Sequence, residues 1–517
     1  MLKFSTVFYL ALKETIIEYL KNTSLSGFHL LHYINGEKYQ RIFWSFFLLT
    51  GIISATYVTW LNVENILENP IVTTLESNHH RIEKVPYAAV AVCSINKFSR
   101  SAVNAFVEEM VNKSGSQFSQ QQLLQKMKLF GGLFDTGSVD FEEAAAFQRD
   151  FLDKYNISIK ETLQKLAPRC EDLIIKCRWA GKLRDCSELF QNSLTANGYC
   201  CIYNQIDDVR DISKLKYVEG VGIQNGLTLL LNTSKADLFL KDRSFNGLIT
   251  QIFSSGQFPD NSIGGPLQEI FIPQSTAIDI QLSVTVQRAT SEMRFYNIEQ
   301  RKCYLFGENV HGGEDQYSTD KCMSLCKVAG MLRFCDCVPY YIPLILNAYN
   351  GTTCTLAHLE CLHRNRVTLN TYSLIDSGKQ GALKNRSLQC SQCLPLCNFY
   401  DYGTRHQTIL LKKAYLLTEN QEFLKLIGRQ ESDGKSNYTY ESLVTLIKQT
   451  DDLSIVRIYF DSTYAILFAK RSLYNWLEIL SNIGGVIGIF VGCSLISAFE
   501  LIYFFIVRLT HNIRKYY

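Results

Sequence analysis

The chain has 517 residues and a formal net charge of only +3, with 47% hydrophobic and 20% charged residues. This length is enough for a large core or several subdomains. The nearly neutral charge gives no electrostatic support for nucleic-acid binding. Glycine and proline contents are ordinary for a folded protein, and no low-complexity block stands out. The composition therefore predicts a large folded protein whose partners are not nucleic acids.

The first distinctive feature in chain order is an uncharged apolar stretch at residues 42–60, IFWSFFLLTGIISATYVTW. It has about the length that crosses a bilayer, and Trp44, Tyr57 and Trp60 near its ends suit the membrane interface. Roughly forty residues precede it and no small-residue cleavage site follows it, so it does not have the form of a signal peptide. We therefore expect a cytoplasmic segment at 1–41 and a transmembrane helix at 42–60.

Residues 61–473 combine strand and helix patterns. Short apolar or alternating runs rich in β-branched residues predict strands, and amphipathic runs that open with acidic residues predict helices. The predicted strands lie within Val85–Val92, Gln268–Val286 and Arg457–Phe468, and the predicted helices within Phe141–Tyr155 and Ser158–Leu166. The predicted fold class is a membrane protein with a mixed α+β ectodomain.

A second apolar stretch runs from about Trp476 to Val507. It is longer than a bilayer needs, so tilt, a break or an interfacial first turn is expected. Basic residues flank the outer ends of both spans, at Lys38, Arg41, Arg508, Arg514 and Lys515. The positive-inside rule then places both termini in the cytoplasm. The predicted layout is an extracellular domain at 61–473, a second transmembrane helix with the pore at 474–507, and a cytoplasmic segment at 508–517.

Sixteen of the seventeen cysteines lie between the two spans, and Cys493 lies inside the second. An even set in one stretch predicts disulfide bonds and an oxidising, extracellular environment. Zinc binding is the alternative at Cys390-x-x-Cys393, whose spacing suits a metal, but an extracellular location disfavours it. Glycosylation sequons in the same stretch agree with that location, and they stand at Asn112, Asn156, Asn232, Asn350, Asn385 and Asn437.

Small residues recur every four positions in the second span, at Gly484, Gly488 and Gly492. One interpretation is a stripe for close helix packing. The other is a pore, because Gly492-Cys493-Ser494 could unwind at mid-membrane only where its carbonyls face water or protein, and such carbonyls can replace an ion's hydration shell. Glu500 is intramembrane and marks an ion path by default. The alternative is that Glu500 pairs with a residue of the first span, although that span carries no charge. Since two helices cannot enclose a pore, the residues predict an oligomeric channel.

Four stretches resemble the degenerin/epithelial sodium channel family, most closely its insect pickpocket-like branch. They are Leu480-Ser481-Asn482-Ile483-Gly484-Gly485-x-x-Gly488-x-x-x-Gly492-Cys493-Ser494-x-x-Ser497-x-x-Glu500, Gln300-Arg301-Lys302-Cys303, Gly198-Tyr199-Cys200-Cys201-Ile202-Tyr203-Asn204, and Cys390-x2-Cys393-x3-Cys397. The resemblance implies a trimer of two-span subunits with palm, thumb, finger and knuckle regions. It implies a sodium-selective, amiloride-sensitive, voltage-independent cation channel of the plasma membrane, gated by a ligand or by force in a sensory or epithelial role.

The same resemblance implies no cofactor and no metal beyond permeant sodium. The implied partners are related subunits in a homo- or heterotrimer, the lipid bilayer and an extracellular ligand. We could not place an acid-sensing pocket, so proton gating is not supported by the sequence. The family's disulfide ladder would pair Cys93 with Cys200, Cys177 with Cys186, Cys170 with Cys201, Cys303 with Cys397, Cys322 with Cys393, Cys326 with Cys390, Cys335 with Cys361, and Cys337 with Cys354.

By position, the resemblance implies a selectivity filter at Gly492, Cys493 and Ser494. It implies further pore and gate positions at Ser481, Asn482, Gly485, Gly488 and Glu500. Ser481 matches the degenerin position, where bulky side chains hold the pore open, and Gly488 matches the amiloride-site position. Two departures stand out: Ser26-Gly27 replaces the cytoplasmic His-Gly gating motif, and Asn482 replaces an acidic residue at the pore mouth.

Two further classes remain as alternatives. A membrane-anchored aspartic-type hydrolase would use Asp135-Thr136-Gly137-Ser138 with Ile375-Asp376-Ser377-Gly378, although Asp-x-Gly is also common turn chemistry. A two-span lipid-binding or scavenger receptor would place no special demand on the second-span residues. An ATP-gated trimer is disfavoured, because no persuasive cluster of extracellular lysines is present.

Overall fold

The computed structural model describes residues 4–33, 38–113, 118–206, 212–233, 235–241, 245–260, 267–308, 317–341, 352–373, 387–411 and 452–516. The chain forms two compact units. The first, here called the helical unit, contains the residues up to Thr73, Thr290–Arg301 and the residues from Lys470 onward. The second, the sheet unit, contains Thr74–Ala289 and Lys302–Ala469.

The α-helices of the described residues are, in chain order, α1 (Phe4–Asn22), α2 (Leu30–Tyr33), α3 (Lys38–Glu68), α4 (Arg100–Lys113), α5 (Gln120–Lys126), α6 (Phe141–Phe147), α7 (Ile159–Leu166), α8 (Cys170–Leu173), α9 (Cys186–Leu189), α10 (Ile298–Arg301), α11 (Thr319–Cys335), α12 (Leu359–Arg364), α13 (Arg366–Leu369), α14 (Trp476–Val491), α15 (Leu495–Ile502) and α16 (Leu509–Tyr516). Two π-helical stretches continue α6 and α15, at Gln148–Asp153 and Tyr503–Arg508.

The strands of the same residues are β1 (Ile71–Arg81), β2 (Ala89–Ser94), β3 (Asn96–Ser99), β4 (Ile174–Trp179), β5 (Lys182–Arg184), β6 (Phe190–Thr195), β7 (Gly198–Tyr203), β8 (Leu227–Asn232), β9 (Leu238–Lys241), β10 (Gly247–Phe253), β11 (Gln268–Pro273), β12 (Thr276–Ala289), β13 (Cys337–Val338), β14 (Thr352–Thr353), β15 (Tyr372–Ser373), β16 (Leu388–Gln389), β17 (Phe399–Leu410), β18 (Leu453–Phe460) and β19 (Tyr464–Ser472). The mixed α+β prediction is confirmed.

An eight-stranded sheet dominates the sheet unit, in the order β1-β19-β12-β18-β8-β4-β5, with β17 also paired to β12. The long strand β12 runs antiparallel to β17 from Thr276↔Leu410 to Gln287↔Phe399 and parallel to β18 from Ala277↔Ile455 to Leu282↔Phe460. The alternating run predicted at Gln268–Val286 therefore forms two strands, β11 and β12. They separate at Gln274–Ser275, where Ser275 has a positive φ of 52°.

A five-stranded sheet in the order β11-β10-β2-β7-β6 packs its β2 strand between two apolar clusters. Val90 and Val92 join the cluster shared with the eight-stranded sheet, whereas Ala89, Ala91 and Cys93 face a second cluster. Successive side chains of a strand point to opposite faces. Because both faces are covered, the strand carries an unbroken apolar run, which is the pattern that predicted a buried strand here.

The helices predicted near the middle of the chain are confirmed, with their ends set by caps. Asp140 accepts a hydrogen bond from the Glu143 N–H at 2.9 Å at the start of α6, and Ser158 accepts one from the Glu161 N–H at 3.5 Å at the start of α7. Such caps satisfy the free N–H groups of a first turn. The apolar faces of α4 to α7 share one core cluster, which is rich in phenylalanine.

Eight disulfide bonds join the same sixteen cysteines, in the same pairs, that the family resemblance implies. Cys322 and Cys326 lie one turn apart on the same face of α11 and bond to Cys393 and Cys390, as residues four apart on a helix can. Both sulfurs that a zinc ion would need in Cys390-x-x-Cys393 are therefore occupied by disulfide bonds.

Two helices in the described part of the chain are long and apolar enough to span a membrane, Lys38–Glu68 and Leu495–Lys515. Only 6% of the most apolar window of the first is buried, whereas the core helix of a soluble protein would be mostly covered. The single helix predicted at 474–507 is instead two helices, α14 and α15, separated at Gly492–Ser494. A break is one of the outcomes that the length of this span predicts.

Candidate pore site

The break in the second span begins at a glycine in a left-handed conformation. Gly492 has φ 67° and ψ 24°, and its N–H donates to the Gly488 carbonyl at 2.9 Å. Helices commonly end in this way, usually at glycine, because a side chain in the left-handed region is strained. The sequence therefore stops α14 at the first residue of the predicted filter.

The next helix restarts on a serine cap two residues later. The Ser494 hydroxyl accepts a hydrogen bond from the Ser497 N–H at 3.3 Å, and the Ser494 N–H donates to the Ser497 hydroxyl at 3.2 Å. This reciprocal pair satisfies donors that the break would otherwise leave free. The last carbonyls of α14 lose their helical partners at the same point. Gly492, Cys493 and Ser494 thus form a non-helical link between two helices.

The predicted pore positions on α14 share one face of that helix. Ser481, Gly485, Gly488 and Gly492 are spaced by four, three and four residues, which places them along one side. Ser481 and Gly485 are exposed, and Gly488 is half-buried. Asn482 lies beside Ser481 and is also exposed. The structure therefore gathers these predicted positions into one open stripe.

The first span packs along α14, and the two helices come especially close at Gly51. A Cβ atom added to Gly51 of α3 would lie 3.0 Å from the Phe490 carbonyl oxygen, so the two backbones are in close contact. A Cβ at Gly484 or Gly485 would meet no described atom within 4 Å. Close helix packing therefore occurs at Gly51, which the packing-stripe interpretation did not include, whereas Gly484 and Gly485 pack against nothing in the described part of this chain.

The predicted N-terminal motif lies directly against the predicted filter. A Cβ added to Gly492 would lie 2.1 Å from the Ser26 Oγ atom and 2.7 Å from its Cβ. The following residue, Gly27, has a positive φ of 82° and packs near Leu48 of α3. Only glycine at 492 leaves room for Ser26, so the two sequence-distant motifs form one site.

Glu500 has a polar partner, which is Ser24 and not a residue of the first span. The Ser24 N–H donates to Oε2 of Glu500 at 2.9 Å, and the Ser24 hydroxyl donates to the same oxygen at 3.0 Å. Ser24 Oγ also lies 2.8 Å from the hydroxyl of Ser497, which is fully buried. We call this set of three residues the serine–glutamate cluster. The alternative of a partner on the first span is wrong, since the donors lie between α1 and α2.

Below this cluster, α1 packs along α16 through polar pairs. Arg508 donates two hydrogen bonds to the carboxylate of Glu18, at 2.8 and 3.1 Å, and this holds the pKa of Glu18 below its usual value. Asn512 donates to the Thr15 hydroxyl at 3.0 Å, from a buried position. Sequence reasoning used Arg508 only to orient the span and missed this contact. The acidic residues of α1 were the available signal.

The remaining sequence predictions have simpler outcomes. Asn112 and Asn156 are exposed, as glycosylation requires, and Asn232 is half-buried at the end of β8. In the Asp135–Ser138 tetrad, the Gly137 N–H donates to Oδ1 of Asp135 at 3.1 Å, so this tetrad forms a tight turn. The other predicted positions lie outside the described residues: Asn350, Asn385, Asn437 and the Ile375–Gly378 segment.

Comparison with known proteins agrees with this arrangement. The profile of the amiloride-sensitive sodium channel family matches residues 19–504. The sodium channel protein Nach of Drosophila ananassae is 23% identical over 509 residues, covering 97% of this chain and 88% of the relative. Pickpocket protein 28 of Drosophila melanogaster is 24% identical, covering 96% of this chain and 79% of the relative. The bile acid-sensitive ion channel of Rattus norvegicus is 23% identical, covering 92% and 85%.

The family match spans α3, α14, α15 and the disulfide-bonded residues between them. Two of these relatives, Nach and the bile acid-sensitive ion channel, carry the names of ion channels. The match over residues 19–504 leads to one conclusion: the chain belongs to the amiloride-sensitive sodium channel family, the degenerin/epithelial sodium channels.

Proposed function

We propose that the chain is a pore-forming subunit of a trimeric, sodium-selective, voltage-independent channel of the plasma membrane. The observation that carries this proposal is the helix break at Gly492–Ser494, which lies on the same side of the second span as Ser481, Gly485 and Gly488. Three copies of this open stripe would surround a central path, since the described residues of one subunit supply only two spanning segments, α3 and the broken segment α14–α15.

The break supplies the groups that a dehydrated cation needs. Backbone groups within a membrane must be satisfied internally or face water. The last carbonyls of α14 and the Ser494 hydroxyl are therefore candidates to replace water around a sodium ion, as carbonyl rings do in other channels. Ser494 is exposed in the single chain, which leaves its side chain accessible from a pore. These features support the proposal of a filter at Gly492, Cys493 and Ser494.

The contact between Ser26 and Gly492 gives the N-terminal segment a role in gating. Any displacement of Ser26–Gly27 changes the space available to the left-handed glycine that opens the filter. Because serine stands where histidine is usual in the family, normal opening of this subunit depends on a related partner subunit or on a specific stimulus. Amiloride would block from the extracellular side, near Gly488.

The proposed topology is the one that the basic residues flanking the two spans favour. Both termini lie in the cytoplasm and residues 61–473 face outward, with the disulfides and the exposed Asn112 and Asn156 on the extracellular side. The intracellular ends of the two spanning segments would then be held by Glu18 and Arg508. A two-span lipid-binding or scavenger receptor shares this topology but requires no helix break.

The native thiol in the filter provides the test. Cys493 is the one cysteine of the chain without a disulfide bond, and it is half-buried. A positively charged methanethiosulfonate reagent applied to open channels should block sodium current, and the matched Cys493→Ser channel should resist it. Ser494 substitutions should change the lithium, sodium and potassium permeability ratios. Unaltered ratios across several Ser494 variants that reach the surface would contradict the filter assignment, and uptake without current would favour the receptor.

A further inference from the structure

A cavity of about 440 Å³ lies within the sheet unit, and none of the predicted pore residues lines it. Its walls are the start of α11, the start of β17 with the preceding Pro395 and Leu396, the Ser254–Gln257 loop, and residues near Tyr217. This volume falls within the range of about 300–1,000 Å³ that is usual for small-molecule sites. The cavity is therefore large enough for a drug-sized ligand.

The described lining combines an apolar wall with two carboxylates. About half of the described lining residues are aromatic or aliphatic, and its charged members are both acidic; the residues that carry the argument are Tyr217, Leu396, Phe399, Tyr400, Asp320 and Asp401. No lysine or arginine is among the described lining residues. Sites for small molecules have this composition, an apolar surface with a few polar groups that fix orientation.

Burial puts both carboxylates in an unfavourable environment. Asp320 is only 8% exposed, and burial raises its pKa to about 6, although a hydrogen bond from the Gln257 side chain acts in the opposite direction. Burial also raises the pKa of Asp401. An ionised carboxylate in apolar surroundings is stabilised by a nearby positive charge. A cationic ligand would therefore relieve a cost that the unliganded site carries.

The two acidic walls are fixed in place by covalent bonds. Asp320 lies two residues before Cys322, which bonds to Cys393, and Asp401 lies four residues after Cys397, which bonds to Cys303. The Tyr317 hydroxyl further ties the α11 side to the Leu394 carbonyl, at 2.5 Å. Since little ordering is needed on binding, such a site favours affinity through preorganisation.

We propose that this cavity is a binding site for a small amphipathic organic cation, whose ammonium or guanidinium group pairs with Asp320 and Asp401 and whose apolar body lies against Tyr217, Phe399 and Tyr400. An anionic amphiphile of the same size is excluded, because it would bring like charges together in a poorly hydrated space. The site is a property of the sheet unit and does not depend on the assignment of the pore.

A series of probes that differ only in the head group tests the proposal. 4-Phenylbutylamine, 4-phenylbutanol and 4-phenylbutyrate would be titrated calorimetrically into the full-length protein in lipid nanodiscs at pH 7.4. Since a hydrogen bond to a charged partner contributes about 1.5–3 kcal/mol, the amine should bind at least about tenfold more tightly than the alcohol. The butyrate should bind more weakly than the alcohol. Equal affinity for the amine and the alcohol would overturn the proposal without any variant.

Variants locate the site and correct for partition of the probes into lipid. Asp320→Asn and Asp401→Asn should each weaken amine binding about tenfold, on the same energetic grounds, and leave alcohol binding unchanged. Asp150→Asn removes an exposed carboxylate outside the cavity and should change neither. Thermal melting of each variant verifies that it is folded. Undiminished amine binding in both cavity variants would show that the cation binds elsewhere, which would contradict the proposal.

Discussion

The energetic cost of replacing Gly492 by alanine at the pore site can be estimated from the structure. The added Cβ would lie 2.1 Å from Ser26 Oγ and 2.7 Å from its Cβ, both far inside van der Waals contact. Gly492 also has φ 67°, and a residue with a side chain in the left-handed region costs roughly 1–2 kcal/mol. Either Ser26 must move or the helix break must change conformation.

The cost of a side chain on the left-handed backbone at residue 492 alone sets a lower bound on the loss of current. A change of one to two kcal/mol shifts a conformational ratio by a factor of about 5–30, and the collision with Ser26 adds to it. We therefore expect Gly492→Ala to reduce sodium current per surface channel at least about fivefold, or to alter its ion selectivity. Gly484→Ala is the matched control, since no described atom lies within 4 Å of its added Cβ.

The assay is two-electrode voltage clamp in oocytes, with surface density measured by extracellular labelling. Both glycine variants are made in a channel already held open by Ser481→Phe. Adding Ser26→Gly to Gly492→Ala removes the colliding atoms but not the backbone strain, so partial recovery is expected. Unchanged current and selectivity in Gly492→Ala, or no recovery with Ser26→Gly, would refute the contact between the N-terminal segment and the filter.

Three further predictions concern polar groups. Lys327→Met should lower the melting temperature, because it removes the ion pair between Lys327 and Asp260, which is 3.3 Å long and whose carboxylate is 2% exposed. Breaking such a buried pair costs about 3–5 kcal/mol. Adding Asp260→Asn to the same chain should restore part of the lost melting temperature. Burial raises the pKa of Asp320 to about 6, so the folded protein loses stability as pH rises from about 4 to 6 and this carboxylate ionises. Asp320→Asn should therefore raise the melting temperature more at pH 7 than at pH 4. Ser24→Ala and Glu500→Gln should alter maximal current non-additively because they share one contact; strict additivity would contradict it.

Local sequence patterns are enough to predict the local features of the pore site. A glycine followed two residues later by a serine that can cap a new helix is enough to predict a break, and the spacing of Ser481, Gly485 and Gly488 places them on one face. The partner of Glu500 was not predictable in the same way. Ser24 is 476 residues away in the chain, carries no charge, and contributes a backbone N–H that no sequence pattern identifies.

The fold shows the same division between local and distant information. Apolar runs, alternation and amphipathic patterns predicted the positions of β2, β12, α6 and α7, because each depends on neighbours along the chain. Sheet order did not follow from these patterns, since β12 pairs with strands more than a hundred residues away. The cavity near Asp320 was missed for the same reason, as its walls come from segments dispersed over the chain.

Whole-cell current from the Ser481→Phe chain, recorded in oocytes with and without amiloride, tests the central claim most directly. Ser481 is exposed on the open face of α14, so a bulky side chain there should hold the pore open without the unknown stimulus. An inward, sodium-carried current that amiloride blocks is the predicted result. Absence of current from chains at the cell surface, both alone and with a related subunit, would contradict the assignment of this protein as a pore-forming subunit.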